Sequence, residues 1–303
     1  MAANTNLHKA KDAKNDEFYT QLTDVAKELM HYKAHFKDKI VLCNCDDPTW
    51  SAFWKYFHLN FAELGLKKLI STHYDREEAT YKMEYTGGDD NDIEIGVKTP
   101  LEGNGDFRNK ECLDLLDECD IVVTNPPFSL FREYVAVLMK HEKKFLIIGN
   151  KNAITYKEFF PLLKDDEVWI GCTNVKEFLQ PDGSIKKFGN IGWFTNLDVA
   201  KRHEKLILWK KYTPEEYPTY DNYDAINVDK VSEIPCDYDG VMGVPITFMD
   251  KYNPIDFEII GADEAEGTGF SNGLYIQGSR YKQCYANGKR IYKRIFIRRK
   301  VGA

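Results

Sequence analysis

Four short apolar runs alternate with longer stretches of helical periodicity across roughly the first half of the chain, and this alternation restricts the fold more than any other feature. The runs are Lys39–Cys45, Lys68–Thr72, Asp120–Thr124 and Phe145–Gly149. Each is short with an apolar centre, as suits a strand covered on both faces. Before the first run, residues 24–36 place Val25, Leu29, Tyr32 and Phe36 on one helical face, with Asp24 as a cap. Residues 49–64, 109–118, 129–141 and 156–163 also have the length and spacing of helices. The pattern predicts an α/β fold with a doubly wound, mostly parallel sheet and helices on both faces. Ligands of such sheets bind beyond the carboxyl ends of the strands. Tyr81, Met83 and Tyr85 alternate before Thr86-Gly87-Gly88-Asp89, and Ile93, Ile95 and Val97 alternate after it. An inserted hairpin is expected there.

Beyond Val168 the pattern turns to β. Asp182-Gly183 separates Val175–Leu179 from Ile185–Phe188, and Ile191–Thr195 and Leu206–Trp209 read as further strands. Residues 212–239 are rich in Tyr, Pro and Asp and read as a loop or linker. Asn287-Gly288 predicts a hairpin between Arg280–Tyr285 and Arg290–Ile297. The expected division is 1–211 as a catalytic domain and 212–303 as a β-rich recognition region.

Charge is segregated. From Gly267 onward there is no Asp or Glu but there are nine Lys or Arg, so a net charge of -7 divides into -16 for the body and +9 for the tail. A basic end on an acidic body suits phosphate contacts, and Lys289, Arg290, Lys293, Arg294, Arg298, Arg299 and Lys300 are its candidates. Seven cysteines without framework or ligand spacing predict a reduced, cytoplasmic setting and no metal. No signal region or membrane-length apolar run is present in the sequence.

The chemistry is concentrated in Asn125-Pro126-Pro127-Phe128, which follows the strand Ile121–Thr124 and precedes a helix. An exocyclic amine of a base is a poor nucleophile because its lone pair is delocalised into the ring. Two acceptors aimed at its hydrogens, the Asn125 side-chain oxygen and the Pro126 carbonyl, would draw the nitrogen toward tetrahedral geometry. The prolines stiffen the loop and remove competing donors, and such fixed dipoles act best where water is excluded. The Phe128 ring offers a stacking face worth roughly 1–3 kcal/mol per base.

This tetrapeptide matches motif IV of the S-adenosylmethionine-dependent amino-methyltransferases. Asp16-Glu17-Phe18-Tyr19-Thr20 before a helix resembles their motif X, and the order of the segments is the gamma arrangement. Lys14–Tyr19, Val41–Pro48, Gly103–Phe107, Asn125–Phe128, Gly192–Asn196 and Val244–Phe248 together resemble the EcoRI-type adenine-specific DNA methyltransferase family. The resemblance covers nearly the whole chain. It implies a Rossmann-like methyltransferase fold, S-adenosylmethionine as cofactor and double-stranded DNA as partner. It also implies N6 methylation of a flipped-out adenine, as in restriction–modification, in a prokaryotic, phage or plasmid setting.

The resemblance assigns Phe18, Tyr19, Thr20, Asn44, Asp106 and Phe107 to the cofactor, with either Asp46 or Asp47 for its ammonium and Asp75 a further candidate for its ribose. Phe128, Trp193 and Phe194 are assigned to the base. One adenine is modified per event, so a monomer suffices. The chain departs from the wider superfamily in one place: the loop Asn44-Cys45-Asp46-Asp47-Pro48 has no glycine where a Gly-rich loop is usual. Two other readings stand beside the first. One keeps the chemistry and changes the substrate to RNA or a protein glutamine; the other is a non-catalytic DNA-binding relative.

Overall fold

The computed structural model describes residues 19–45, 47–75, 79–88, 92–180, 183–263 and 270–300. The strands, in chain order, are β1 (Tyr19–Thr20), β2 (Ile40–Cys43), β3 (Lys68–Thr72), β4 (Tyr81–Tyr85), β5 (Val97–Pro100), β6 (Ile121–Thr124) and β7 (Lys144–Asn150). They continue as β8 (Trp169–Leu179), β9 (Ile185–Thr195), β10 (Ile226–Asn227), β11 (Met242–Pro245), β12 (Phe257–Ala262), β13 (Tyr285–Ala286), β14 (Lys289–Arg290) and β15 (Arg294–Arg299). The α-helices are α1 (Leu22–Leu29), α2 (Ala52–Leu59), α3 (Phe61–Leu64), α4 (Lys110–Glu118), α5 (Phe131–Lys140) and α6 (Phe160–Lys164). They fall into two compact units, Met1–Ala153 with Ile170–Asp198, and Ile154–Trp169 with Val199–Ala303.

The first unit is a mixed α/β structure on a nine-stranded sheet, in the order β1-β8-β9-β7-β6-β2-β3-β4-β5. Its middle is parallel: Leu42 pairs with Ile70 on one side and Val122 on the other, and Val123 pairs with Leu146. Val41, Leu42, Leu69, Ile70, Val122, Val123, Leu146 and Ile147 are all fully buried, which is why these strands were legible by their apolar centres. The flanking strands are antiparallel, β9 on β7 and the β4–β5 hairpin on β3. The hairpin expected after Tyr81 therefore exists, with its second strand at Val97–Pro100 rather than Ile93–Val97.

Local signals set the helix starts. The Ser51 hydroxyl accepts from the Phe53 and Trp54 backbone N–H groups and starts α2 at Ala52. Asp24 is not a cap; it lies in the first turn of α1, which begins after Gln21. An acidic group there still suits the helix dipole. Cys43, Cys112, Cys119 and Cys284 are buried, and burial pushes the Cys112 and Cys119 thiols up to about 12.

The second unit contains a four-stranded sheet ordered β10-β11-β15-β12. The basic tail forms its interior strand: β15 pairs antiparallel with β11 (Val244 with Ile295) and with β12 (Phe257 with Arg299). The hairpin expected around Asn287-Gly288 exists only as β13 and β14. Leu206–Trp209 is not a strand, and Ile207 and Trp209 are largely exposed. Residues 212–239 are mostly loop and turn, as expected, but they are packed. Tyr217, Tyr220 and Tyr223 are buried, and their hydroxyls donate to Glu233 O, Asn227 Oδ1 and Asp263 Oδ1 at 2.7, 2.8 and 3.1 Å. Among the described residues no helix is long and apolar enough to cross a membrane, and no three His, Cys, Asp or Glu side chains are grouped to hold a metal ion.

Candidate active site

The carboxyl ends of β2, β3 and β6 build the site. Directly after β2, the buried Asn44 joins two elements. Its backbone carbonyl accepts from the Thr124 hydroxyl at the end of β6, and its side-chain oxygen accepts from the Tyr134 hydroxyl of α5. Burial pushes Tyr134 well above its ordinary value, so the phenol stays a donor. Asn44 thereby fixes the residue that precedes Asn125. Cys45 follows with φ 66°, the left-handed conformation that a glycine would take without strain.

Asp47 closes the same loop. One carboxylate oxygen accepts from the Thr49 N–H (2.8 Å), the Thr49 hydroxyl (2.8 Å) and the Tyr81 hydroxyl (2.9 Å). The other lies 3.1 Å from His73 Nδ1, just beyond β3. Burial would raise this carboxyl, but the hydrogen bonds from His73, Thr49 and Tyr81 outweigh it and hold Asp47 well below the usual carboxylate range. Asp47 is thus the hub that ties the ends of β2, β3 and β4 together.

The segment before α4 rests on the end of β3. The Asp75 N–H donates to Asn104 O at 3.2 Å, and the Thr80 hydroxyl donates to Gly103 O. Gly105 has φ +72°, and a Cβ there would stand 2.3 Å from His73 O, so only glycine permits this approach. Next to it, Asp106 receives both Arg108 Nε (2.8 Å) and Nη2 (2.6 Å), and Arg108 Nη1 reaches Glu133 at 2.9 Å. Phe107 is buried edge-on against Tyr134 at 4.9 Å.

Asn125 emerges from β6 with Pro126 buried behind it and Phe128 starting a 3-10 turn. Strand β9 runs antiparallel to β7 with Ile191 opposite Asn150, so Ile185–Asn190 overhang the carboxyl edge of the parallel strands. A turn in which the Gln180 N–H donates to Ser184 O at 2.8 Å joins this overhang to β8. The overhang brings Phe178 and Phe188 edge-on to Phe128, with ring centroids 6.1 and 6.2 Å away. Opposite Phe178 in the sheet is Thr20, whose buried hydroxyl has no hydrogen-bond partner among the described residues. Buried hydroxyls are seldom left so. Thr72, at the end of β3, has another unpartnered buried hydroxyl. Orphaned hydroxyls at Thr20 and Thr72, with carboxylates at Asp75 and Asp106, fit a ligand bearing hydroxyl and amino groups along this edge.

The sequence matches the family described as "Adenine-specific methyltransferase EcoRI" over residues 6–300. The chain belongs to that family. It is 45% identical to "Type II methyltransferase M.EcoRI" of Escherichia coli, covering 99% of this chain and 98% of that one. It is 38% identical to "Type II methyltransferase M.MpnI" of Mycoplasma pneumoniae and 34% identical to "Type II methyltransferase M.MgeORF184P" of Mycoplasma genitalium, each over 97% of this chain and 98% of the relative. No solved structure gives a significant match. The chain is therefore an adenine-specific methyltransferase.

Within this methyltransferase the remaining expected site residues fall into several groups. Phe18 and Asp46 lie outside the described residues. Tyr19 shares β1 with Thr20. Trp193 and Phe194 are fully buried; Trp193 meets Phe53 at 6.0 Å and Phe194 meets Phe131 at 5.3 Å, so both rings serve as core. Lys289 and Arg290 are exposed on β14. Arg294 is buried, with Nε 3.3 Å from Asn227 Oδ1 and Nη1 3.0 Å from Tyr292 O. Arg298 pairs with Glu258 at 2.6 Å, Arg299 donates to Cys236 O, and Lys293 and Lys300 donate to Thr155 Oγ1 and Pro254 O at 2.9 and 2.6 Å. Sequence reasoning missed Phe178, Phe188 and Thr72. The first two were within reach, because residues flanking a hairpin turn on either side are neighbours.

Proposed function

We propose that this methyltransferase takes its methyl group from S-adenosylmethionine and places it on N6 of an adenine extruded from duplex DNA at a specific sequence, as the modification half of a restriction–modification pair. The observation that carries the reading is the Asn125–Phe128 loop, anchored through Thr124 to Asn44 and ringed by Phe178 and Phe188. The relatives named as type II methyltransferases support it.

In this reading the first unit is a Rossmann-like catalytic domain and the β-rich unit a recognition region. Thr20, Asp75 and Asp106 hold the cofactor, with Tyr19 and Phe107 beside them, and Asn44 and Asp47 shape the loop. When bound, S-adenosylmethionine supplies an electrophilic methyl carbon. The Asn125 side-chain oxygen and the Pro126 carbonyl each accept one N6–H, which turns the amine lone pair out of conjugation. Phe128 stacks on the base, and Phe178 and Phe188 hold that ring upright. We assign the stacking to Phe128 rather than to Trp193 and Phe194, because neither of the latter exposes a face. Extruding the base costs a few kcal/mol, which the pocket contacts offset. In the recognition region, Lys289 and Arg290, exposed on β14, are assigned to phosphates.

The test is incubation with labelled cofactor and separate DNA, RNA and protein substrates, followed by nucleoside mass spectrometry and mapping of the modified site. N6-methyladenine in duplex DNA is expected; label found only in RNA or protein sinks the reading. Asn125→Ala should lower turnover by about 10²–10³ while leaving cofactor affinity within about twofold of the parent.

A further inference from the structure

Ahead of β13, the exposed Arg280 sits on a loop whose backbone is fixed on both sides of it. Before it, the Ser279 N–H donates to Ile276 O at 3.2 Å, in a turn where Gly278 takes a φ of 82°. After it, Tyr281 O accepts from the Tyr275 hydroxyl at 2.9 Å and from Asn222 Nδ2 at 3.2 Å. The same Tyr275 oxygen lies 3.4 Å from Ser279 O, and the Tyr281 N–H donates to Ser279 Oγ at 3.2 Å. Both anchors belong to the packed interior of this unit: Asn222 is fully buried, and the Tyr275 ring meets that of the buried Tyr223 at 5.5 Å.

The side chain is held as well. The Arg280 guanidinium lies over the Tyr281 ring, with its carbon 4.6 Å from the centroid, and Nη2 donates to the Tyr281 hydroxyl. Tyr281 in turn stacks on Tyr285, with centroids 3.9 Å apart and planes 10° from parallel. Tyr285 is itself fixed by the β13–β14 pairing, opposite Arg290. Among the described residues the partners of Arg280 are thus a ring and a hydroxyl rather than a carboxylate, and the chain from Gly267 onward contains no Asp or Glu.

We propose that Arg280 reads a guanine of the target sequence, its planar fork donating to O6 and N7 in the major groove, with Tyr281 as the residue that positions it. This rests on the DNA-methylation reading above and names a contact behind its sequence specificity. The chemistry selects a base edge over a phosphate. A phosphate can be met by a cation from many directions, and a flexible exposed side chain serves. Two acceptors in the plane of a base require donors in a fixed plane, and a guanidinium resting on a ring has given up its freedom before DNA arrives. Guanine is the base that offers two acceptors side by side in the major groove.

The experiment uses the full chain. Wild type, Arg280→Met and Arg280→Lys each methylate the same genomic DNA, and sequencing that registers N6-methyladenine maps the sites. The wild-type site should contain a G·C pair at which both variants accept other pairs. Discrimination there should fall by roughly 10–100-fold in kcat/KM, with the remaining positions as strict as before. The lysine variant shares the loss because an ammonium lacks the planar fork. Tyr281→Leu, which keeps the guanidinium and removes its support, should relax the same pair. With 7-deazaguanine at that pair, wild type should lose roughly tenfold in kcat/KM, and Arg280→Met should be indifferent to the analogue within about twofold. If Arg280→Met does not fold, Arg280→Lys carries the same test. A wild-type site without a G·C pair overturns the proposal. So do variants that keep the wild-type site but bind every sequence more weakly with a shallower salt dependence, which marks a phosphate contact. Variants that keep the site and only melt at a lower temperature overturn it too, since the stack then merely stabilises the loop. An enzyme that methylates duplex DNA at a site indifferent to Arg280 sinks this assignment alone, whereas one that leaves DNA unmodified sinks the reading on which it rests.

Discussion

Replacing Glu28 by Gln tests how the first unit holds its edge strands. Glu28 is fully buried on α1, the helix that follows β1. One carboxylate oxygen accepts from the Tyr32 hydroxyl (3.0 Å) and the Cys172 N–H (2.7 Å). The other accepts from the Thr173 N–H and the Thr173 hydroxyl, both at 2.7 Å. The N–H groups of adjacent residues normally point to opposite sides of a strand, so a single carboxylate receiving both pins an irregularity in β8. In Glu28→Gln one of these oxygens becomes an NH2. The hydroxyl on that side can rotate and accept, but the backbone N–H then faces another N–H, at a cost of about 1–3 kcal/mol. The bonds that remain lose their ionic assistance, roughly another 1 kcal/mol each. Release from burying a charge offsets part of this, leaving a net loss of about 2–4 kcal/mol. In a unit of this size that lowers Tm by about 5–15 °C. Calorimetry and urea unfolding measure it, with Glu63→Gln as a control. The pair formed by Glu63 and Lys33 is exposed, and its loss should leave Tm unchanged. A Glu28→Gln protein within about 0.5 kcal/mol of the parent would refute the claim that this carboxylate holds β8 to α1.

Further outcomes are expected at Cys45 and in the tail. Cys45 has φ 66°, so Cys45→Gly should be neutral or stabilising by up to about 1 kcal/mol, whereas Cys45→Val should cost about 1–2 kcal/mol; urea unfolding of both distinguishes a conformational role from a contact role. Arg294→Met should destabilise the protein by about 1–3 kcal/mol, because it strips a buried donor from Asn227 and Tyr292. Arg290→Met should leave Tm unchanged and make the salt dependence of DNA binding shallower by about 0.9; the reverse pattern in a paired thermal and binding assay would refute the division of the tail into structural and contacting cations.

The parts of the fold that were legible in the sequence are those whose burial is uniform. Leu42, Ile70, Val122 and Ile147 sit in strands covered on both faces, and such strands cannot be mistaken for surface. The tail was harder. Its local hairpin signal was real, since Asn287 and Gly288 both have positive φ and their N–H groups dock on the Asp221 carboxylate at 3.1 and 2.8 Å. Yet Ile295–Ile297 pair with Val244 and Met242 on one side and with Ala262 and Ile259 on the other, and no short-range pattern announces partners so distant in sequence. Counting cations gave a basic stripe; pairing turned part of that stripe inward. The stretch from Tyr212 is mostly loop, as expected, but its packing was hidden for the opposite reason. Tyr, Pro and Asp usually mark solvated loops, but here Tyr220, Tyr223 and Phe296 form a core whose hydroxyls are bonded, and Asn222 satisfies irregular backbone by donating to Tyr281 O and Gln283 O while accepting from the Tyr285 N–H.

At the site, the loop after β2 shows what a motif encodes. Glycine is usual in such a loop because the backbone must enter the left-handed region and leave space, and a sequence without glycine looks as though it has given up both. Here Cys45 enters that region regardless. The strain is held in place by its neighbours: Asn44 is bonded to Thr124 and Tyr134 before it, and Asp47 collects Thr49, Tyr81 and His73 after it. Close approach of backbone to backbone is supplied instead at Gly105, which lies against His73 O at the end of β3. The geometric requirements of the site are thus met by residues spread over three strand ends. A reading that looks for them in one contiguous loop finds them absent, although together they fix where β6 ends and hence where Asn125 begins.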